Sequence, residues 1–202
     1  KLLRINAQTQ RAAGIIENMR IFGSGSGSEP GPFDVNDALI VSLDIMAPRL
    51  KGAGIEIEAK LGSALPAVFG QTQRLEQVFI NLLLNACDAI VQRQSSEPAG
   101  AYTGQIAITT LSEDDKVVVR ISDNGCGMPQ EVVERIFEPF FTTKTIGNGT
   151  GLGLSLSHGI VAEYGGKITV QSGSAVTTFE VRLPLCDEIR EGGLSAMEKS
   201  DA

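Results

Sequence analysis

Four short stretches of this 202-residue sequence combine residue types and spacings that could do chemistry. GNGTGLGL (147–154) has a glycine at every second position. Gly149, Gly151 and Gly153 allow a main chain to approach a ligand closely and to take positive φ. A helix opening near Leu152 aims its free N–H groups at an anion. The alternative is a flexible loop whose glycines serve only turns. Neither common phosphate fingerprint fits. GxxxxGK[ST] is absent, because Lys167 follows two glycines but precedes Ile168. GxGxxG fails because Leu154 stands where the third glycine should be.

DNGCGM (123–128) follows the apolar run KVVVRIS, in which Val117, Val119 and Ile121 face one way. An ionised Asp123 only accepts hydrogen bonds, so a buried Asp here selects the exocyclic amine of adenine over the carbonyl of guanine. Gly125 and Gly127 then make room for the base. An ordinary Asp-Asn-Gly turn is the competing reading. Along QTQRLEQVFINLLLNACDAIVQRQ (71–94), Asn81, Asn85 and Asp88 fall in one polar sector at ~100° per residue. Amide oxygens beside a nucleotide are hard donors suited to Mg²⁺; a solvated helix edge is the plain alternative. RIFEPFFTTK (135–144) brings together Phe137, Phe140 and Phe141, with Lys144 placed to reach a phosphate. It reads as a flap anchored by aromatics or as a satellite hydrophobic cluster.

These stretches need a scaffold. The helix over 71–94 is the strongest, with Leu75, Val78, Phe79, Leu82, Leu83, Ala86 and Ile90 on one face. Residues 36–51 read as a helix capped by Asn36 or Asp37 and stopped by Gly52 and Gly54. A third helix spans 152–164, ended by Gly165-Gly166, and a short one lies near 130–138. Strands are expected at 33–35, 55–61, 105–111, 116–122, 167–172 and 176–184. The middle pair is joined by SEDD as a hairpin. Residues 1–22 read as an amphipathic helix with Ile5, Ala12 and Met19 at heptad spacing. GSGSGSEPGP (23–32) reads as a flexible, engineered-looking linker, and the tail from Asp187 as disordered. Strands and helices mix without strict alternation, so an α+β sandwich with helices on one face of a mixed sheet is expected.

Composition agrees with a single aliphatic core: 42 % apolar residues, 5 % aromatic and no Trp. The net charge of −7 without a basic patch points away from nucleic acid. Three dispersed cysteines make neither a disulfide framework nor a metal site and fit a reducing cytosol. No apolar run reaches the ~18 residues of a membrane span. The chain opens without a signal peptide or initiator Met, as a fragment does.

The order NLLLNA (81–86), DNGCGM (123–128), FEPFFTTK (137–144), GTGLGLSLSHGIV (149–161) closely resembles the N, first-glycine, F and second-glycine boxes of the sensor histidine kinase ATPase domain. That domain belongs to a superfamily shared with gyrase, heat-shock chaperone and mismatch-repair ATPases. The resemblance covers about residues 33–184 and looks most like the nitrogen-regulation subgroup. It implies a Bergerat-type two-layer α/β sandwich over 33–186, preceded by an isolated helix resembling the second helix of the dimerisation and phosphotransfer hairpin. It implies ATP and Mg²⁺ as ligands. Asn85 is then the metal ligand, with Asn81 assisting and Lys144 completing the catalytic set. Asp123, Gly125, Gly127 and Phe137 serve the nucleotide, and Thr150, Gly151, Leu152 and Gly153 cradle its phosphates within a lid over 124–151. Thr178, beside Thr177, lies near the base, although GSAVTTF is looser than the Gly-Thr-Thr run usual there.

Three departures bear on activity. Hydrolytic relatives carry a glutamate base four residues before the metal Asn; Asn81 stands there, and an amide takes no proton at neutral pH. Many relatives carry Lys or Arg three residues after that Asn, where this chain has Asp88. The phosphoacceptor histidine belongs on a helix this sequence lacks, so His158, the one histidine, is a structural or surface residue. The resemblance therefore implies a cytoplasmic protein-histidine kinase domain, whether or not its parent is membrane-anchored. Its expected partners are a histidine phosphotransfer and dimerisation domain, a response regulator receiver domain and a second copy in a homodimer. A serine/threonine kinase of the anti-sigma type and a non-catalytic nucleotide-binding module are the alternatives.

Overall fold

The computed structural model describes residues 29–98, 100–144 and 149–186. The expectations for 1–22, for most of the linker and for the tail from 187 lie outside these residues. In chain order the elements are β1 (Gly31–Phe33), α1 (Val35–Gly52), β2 (Glu56–Leu61), β3 (Val68–Gly70), α2 (Thr72–Gln94) and β4 (Gln105–Glu113). Then come β5 (Lys116–Asp123), α3 (Gln130–Val133), α4 (Gly153–Glu163), β6 (Lys167–Ser172) and β7 (Thr177–Pro184). The main sheet runs β2-β4-β5-β7-β6. Its β2–β4 pair is parallel and the other pairs are antiparallel. β1 and β3 form a separate antiparallel ribbon.

The three long helices make the second layer. α2 packs between α1 and α4 and lies over β5, while α4 covers β6. All seven apolar residues expected on the inner face of α2 are buried, and Cys87 joins them. Each Leu, Val, Ile and Phe among them contributes about 1.5–3 kcal/mol on complete burial, so this helix is the spine of the core. On β7 the alternation is strict: Thr177, Phe179, Val181 and Leu183 are buried toward the helices. The opposite face carries charge, where Arg120 and Arg182 each pair with both Glu113 and Glu180.

Two boundaries differ instructively from expectation. The cap of α1 is Asp34, whose carboxylate accepts the Asn36 N–H at 2.8 Å. Asn36 is inside the helix and bonds Thr110 and Gly62 instead. β4 runs on to Glu113, so only Asp114 and Asp115 make the hairpin turn, both at positive φ (50° and 55°). That is the two-residue type I′ geometry, which Asp tolerates. Among the described residues no helix is long and apolar enough to cross a membrane.

Candidate nucleotide site

Asp123 is the last residue of β5 and only 4 % exposed. It sits on the helix-side face, continuing the row of Val117, Val119 and Ile121. Its Oδ1 accepts the Gly125 N–H at 2.9 Å, and among the described residues its carboxylate makes no other hydrogen bond. Among the described residues no fully buried side-chain oxygen lacks a partner, so the second oxygen faces an opening. Burial raises its pKa from an ordinary 3.8 to about 6, partly opposed by the Gly125 N–H. Among the described residues no cation pairs with this acceptor-rich group.

The cross-strand partner of Asp123 is Thr177, which is 3 % exposed and shares a hydrogen bond with Ser172 at 2.9 Å. Thr178, the expected base-side residue, does not face this site. Side chains alternate along a strand, and Thr178 lies on the outer face, 2.8 Å from the Ser122 hydroxyl. Thr177 is therefore the threonine beside the carboxylate. The glycines after Asp123 are used by protein rather than by open space. A Cβ at Gly125 would come within 2.7 Å of Ala89 on α2. At Gly127 (φ +69°) it would overlap the Gly173 carbonyl in the β6–β7 turn. The Cys126 N–H donates to Ala89 O at 3.2 Å, which seats the loop on α2.

Across α2 lies the polar sector. Asn81 donates from Nδ2 to Gly153 O and to Ser157 Oγ, both at 3.3 Å, and so ties α2 to the first turn of α4. Asn85 Oδ1 accepts from Lys144 Nζ at 3.2 Å. The same ammonium pairs with Asp88 at 2.6 Å, and the other Asp88 oxygen pairs with Arg49 at 2.8 Å. Lys144, read from the sequence as placed to reach a phosphate, pairs here with Asn85 and Asp88. These amide and carboxylate oxygens suit Mg²⁺ in type.

The start of α4 is preceded by Leu152 and has no side-chain cap. The first-turn N–H groups of a helix start without such a cap suit an anion. The loop before it is locked to the phenylalanine segment. Gly151 has φ +68°, and a Cβ there would overlap the Phe140 backbone. The Phe140 N–H donates to Gly151 O at 2.9 Å, and Phe140 itself has φ +67°. Thr150 Oγ1 accepts the Leu152 N–H at 3.3 Å. A Cβ at Gly153 would meet nothing closer than Asn81 at 3.5 Å, so its bareness is not demanded by packing. Phe137 and Phe141 pack on the core, whereas Phe140 is 72 % exposed. The Phe137 ring lies 5.3 Å from that of exposed His158, on the flank of α4.

Residues 70–187 match the family described as histidine kinase-, DNA gyrase B-, and HSP90-like ATPase. The chain belongs to this family. Among curated relatives, the two-component sensor PprA of Pseudomonas aeruginosa is 38% identical over 193 residues, 96% of this chain and 21% of that protein. The sensor kinase CckA of Brucella abortus is 37% identical over 98% of this chain and 22% of its own length. NtrB of Rhizobium leguminosarum, a sensory histidine kinase/phosphatase, is 31% identical over 88% of this chain and 47% of its own length. The chain therefore spans a fifth to a half of these relatives. The solved catalytic domain of histidine kinase ThkA superposes with a TM-score of 0.67 at 31% identity, covering 80% of this chain and 99% of that one.

Over most of its length the chain is similar to the catalytic ATP-binding part of sensor histidine kinases. Its fold is the expected mixed sheet under helices. The structure brings Asn81, Asn85, Asp123, Lys144 and the 150–153 loop around α2, and it moves Thr178 to the far face. Sequence reasoning placed Thr177 beside Thr178 but chose Thr178 as the site residue, and it passed over Arg49 and Arg93. The signal for Thr177 was the strand alternation itself. For Arg93 it was the position one turn after Ala89, which faces the glycine loop. Arg49 gave none, because the α1–α2 packing that brings it to Asp88 is tertiary.

Proposed function

We propose that this domain binds Mg²⁺-ATP and delivers the γ-phosphoryl group to a histidine on a phosphotransfer and dimerisation domain. The observation that carries the reading is the buried Asp123 carboxylate with spare acceptor capacity, on the same side of the sheet as the uncapped α4. An acceptor of this kind meets the exocyclic amine of adenine and repels the guanine carbonyl. The open N–H groups of α4 and the Thr150–Gly153 backbone receive the phosphates.

Asn85 holds the metal in this reading, with Asn81 at its flank. Bound Mg²⁺ supplies charge neutralisation at the phosphates. The chain's own residues orient and enclose. Lys144 leaves Asn85 and Asp88 for a phosphate oxygen, and its departure exposes the Asn85 oxygen. Asn81 cannot serve as a base toward water, so hydrolysis is slow and the phosphoryl group is kept for the protein acceptor. The parent acts as a cytoplasmic homodimer whose phosphohistidine feeds a response regulator receiver domain.

Calorimetry with ATP and GTP, with and without Mg²⁺, tests the site. Incubation of the chain with [γ-³²P]ATP and a separate phosphotransfer domain tests the reaction. Acid-labile label on the added domain, and none on this chain alone, is the expected result. Acid-stable label, or GTP binding as tight as ATP binding, overturns the reading.

A further inference from the structure

The peptide linking Asn124 to Gly125 is one planar unit, and its two ends do different work. Its N–H fixes Asp123 Oδ1 at 2.9 Å. Its carbonyl accepts from Arg93 Nη1 at 2.9 Å and lies 2.8 Å from the Tyr102 hydroxyl. The tilt of this peptide therefore sets where the carboxylate points. Arg93 also reaches the Ala175 carbonyl at 3.4 Å and the Gly125 carbonyl at 3.5 Å, so one guanidinium spans the loop after β5 and the β6–β7 turn. The overlap a Cβ would cause between Gly127 and Gly173 shows the same two segments in direct contact.

The guanidinium is itself held. Its carbon lies 4.6 Å from the Tyr102 ring centroid, and Nε pairs with Glu97 at 3.5 Å. A planar fork stacked on an aromatic face can address several carbonyls at once, which a flexible ammonium does less well. The Tyr102 hydroxyl is also 2.7 Å from Asn124 Oδ1, which accepts the Gln105 N–H at 2.8 Å. Arg93, Tyr102 and Gln105 all bond Asn124, the residue after Asp123.

We propose that Arg93, stacked on Tyr102, is a positioning residue for base recognition: it fixes the Asn124–Gly125 peptide against the β6–β7 turn and thereby aims Asp123 at an aminopurine. The inference rests on the nucleotide reading of the site. A residue serving stability alone lowers the melting temperature and leaves the preference between bases untouched. A positioning residue changes the preference.

The test measures ATP and GTP dissociation constants, in excess Mg²⁺, for the full chain and for Arg93→Met, Arg93→Lys and Tyr102→Phe, with melting temperatures alongside. Loss of charge-assisted bonds of this strength lowers the ATP-over-GTP preference of Arg93→Met by about tenfold. Arg93→Lys keeps the charge and one bond, and stays within about threefold of the unsubstituted chain. Tyr102→Phe keeps the ring, loses the hydroxyl and lowers the preference by about threefold. The last variant decides the matter if Arg93→Met does not fold. An unchanged preference in any folded Arg93→Met or Tyr102→Phe chain overturns the inference while leaving the nucleotide reading intact. An unsubstituted chain that shows no preference for ATP overturns both.

Discussion

A carboxyl group titrating near 6 works against the fold at neutral pH. Asp123 keeps its proton up to about 6 in the folded chain, whereas its ordinary pKa is 3.8. Between those values the folded state binds more protons than the unfolded state, so stability falls as pH rises through the window and stays lower above it. The gap corresponds to about 3 kcal/mol at pH 7. Asp123→Asn removes the charge and keeps an oxygen for the Gly125 N–H. It is expected to gain about 1–3 kcal/mol over the parent at pH 7.5, with the gain vanishing near pH 4. The same change presents a donor where adenine presents one, and ATP binding weakens by more than about tenfold. Urea midpoints at both pH values, with calorimetry, test the pair of effects; a variant no more stable at pH 7.5 defeats the burial account. This residue was legible in the sequence as the polar end of an apolar strand. Its burial was not, because that depends on α2, whose Ala89 packs against the loop that follows Asp123.

At the scale of elements, the site is a set of junctions between α2, the phenylalanine segment and α4. Gly151 joins the last two, with φ +68° and no room for a Cβ beside Phe140. Gly151→Ala must either displace Phe140 or flip the loop, and strain of this kind costs about 1–3 kcal/mol. Because the N–H groups of α4 move with that loop, ATP binding is expected to fall by at least about tenfold while the α2 core stays folded. Unchanged far-ultraviolet dichroism with weakened ATP binding is the signature to look for. A variant that binds ATP normally would show that this loop does not hold the phosphates. The junction at Lys144 predicts the opposite sign. Asp88→Asn removes one of the two groups that retain the ammonium beside Asn85. A half-exposed pair is worth about 0.2–1 kcal/mol, so Mg²⁺-ATP should bind about two- to fivefold more tightly, measured by the same titration. Weaker binding would mean that Asp88 assists the ligand instead. The helices that form these junctions were readable from apolar spacing and glycine stops. The short β3 was not, since Val68–Gly70 has too few residues for a period and owes its pairing to β1.

For the whole molecule, local pattern and long-range assembly divide the information between them. The mixed sheet was expected because strands and helices mix along the chain without strict alternation, and the glycine and asparagine stretches marked the candidate site. What no local pattern carried was contact across the chain: Arg49 to Asp88, Arg93 to Ala175, and Thr177 opposite Asp123. Those contacts make nucleotide binding a property of several elements at once, since the proposed ligand groups sit on β5, α2 and α4. A ligand that binds only when they are assembled stabilises the fold by mass action, by about 2.7 kcal/mol at one hundred times its dissociation constant. For a domain of this size that raises the melting temperature by about 5–11 °C. Asn85 separates the metal's share from the rest. In the unsubstituted chain, ATP with Mg²⁺ is expected to raise the midpoint further than ATP with EDTA. In Asn85→Ala the two midpoints should coincide, while the smaller EDTA shift survives because Asp123 and α4 are untouched. If Mg²⁺ adds nothing in the unsubstituted chain, or if Asn85→Ala retains the metal increment, Asn85 is not the residue that holds the ion.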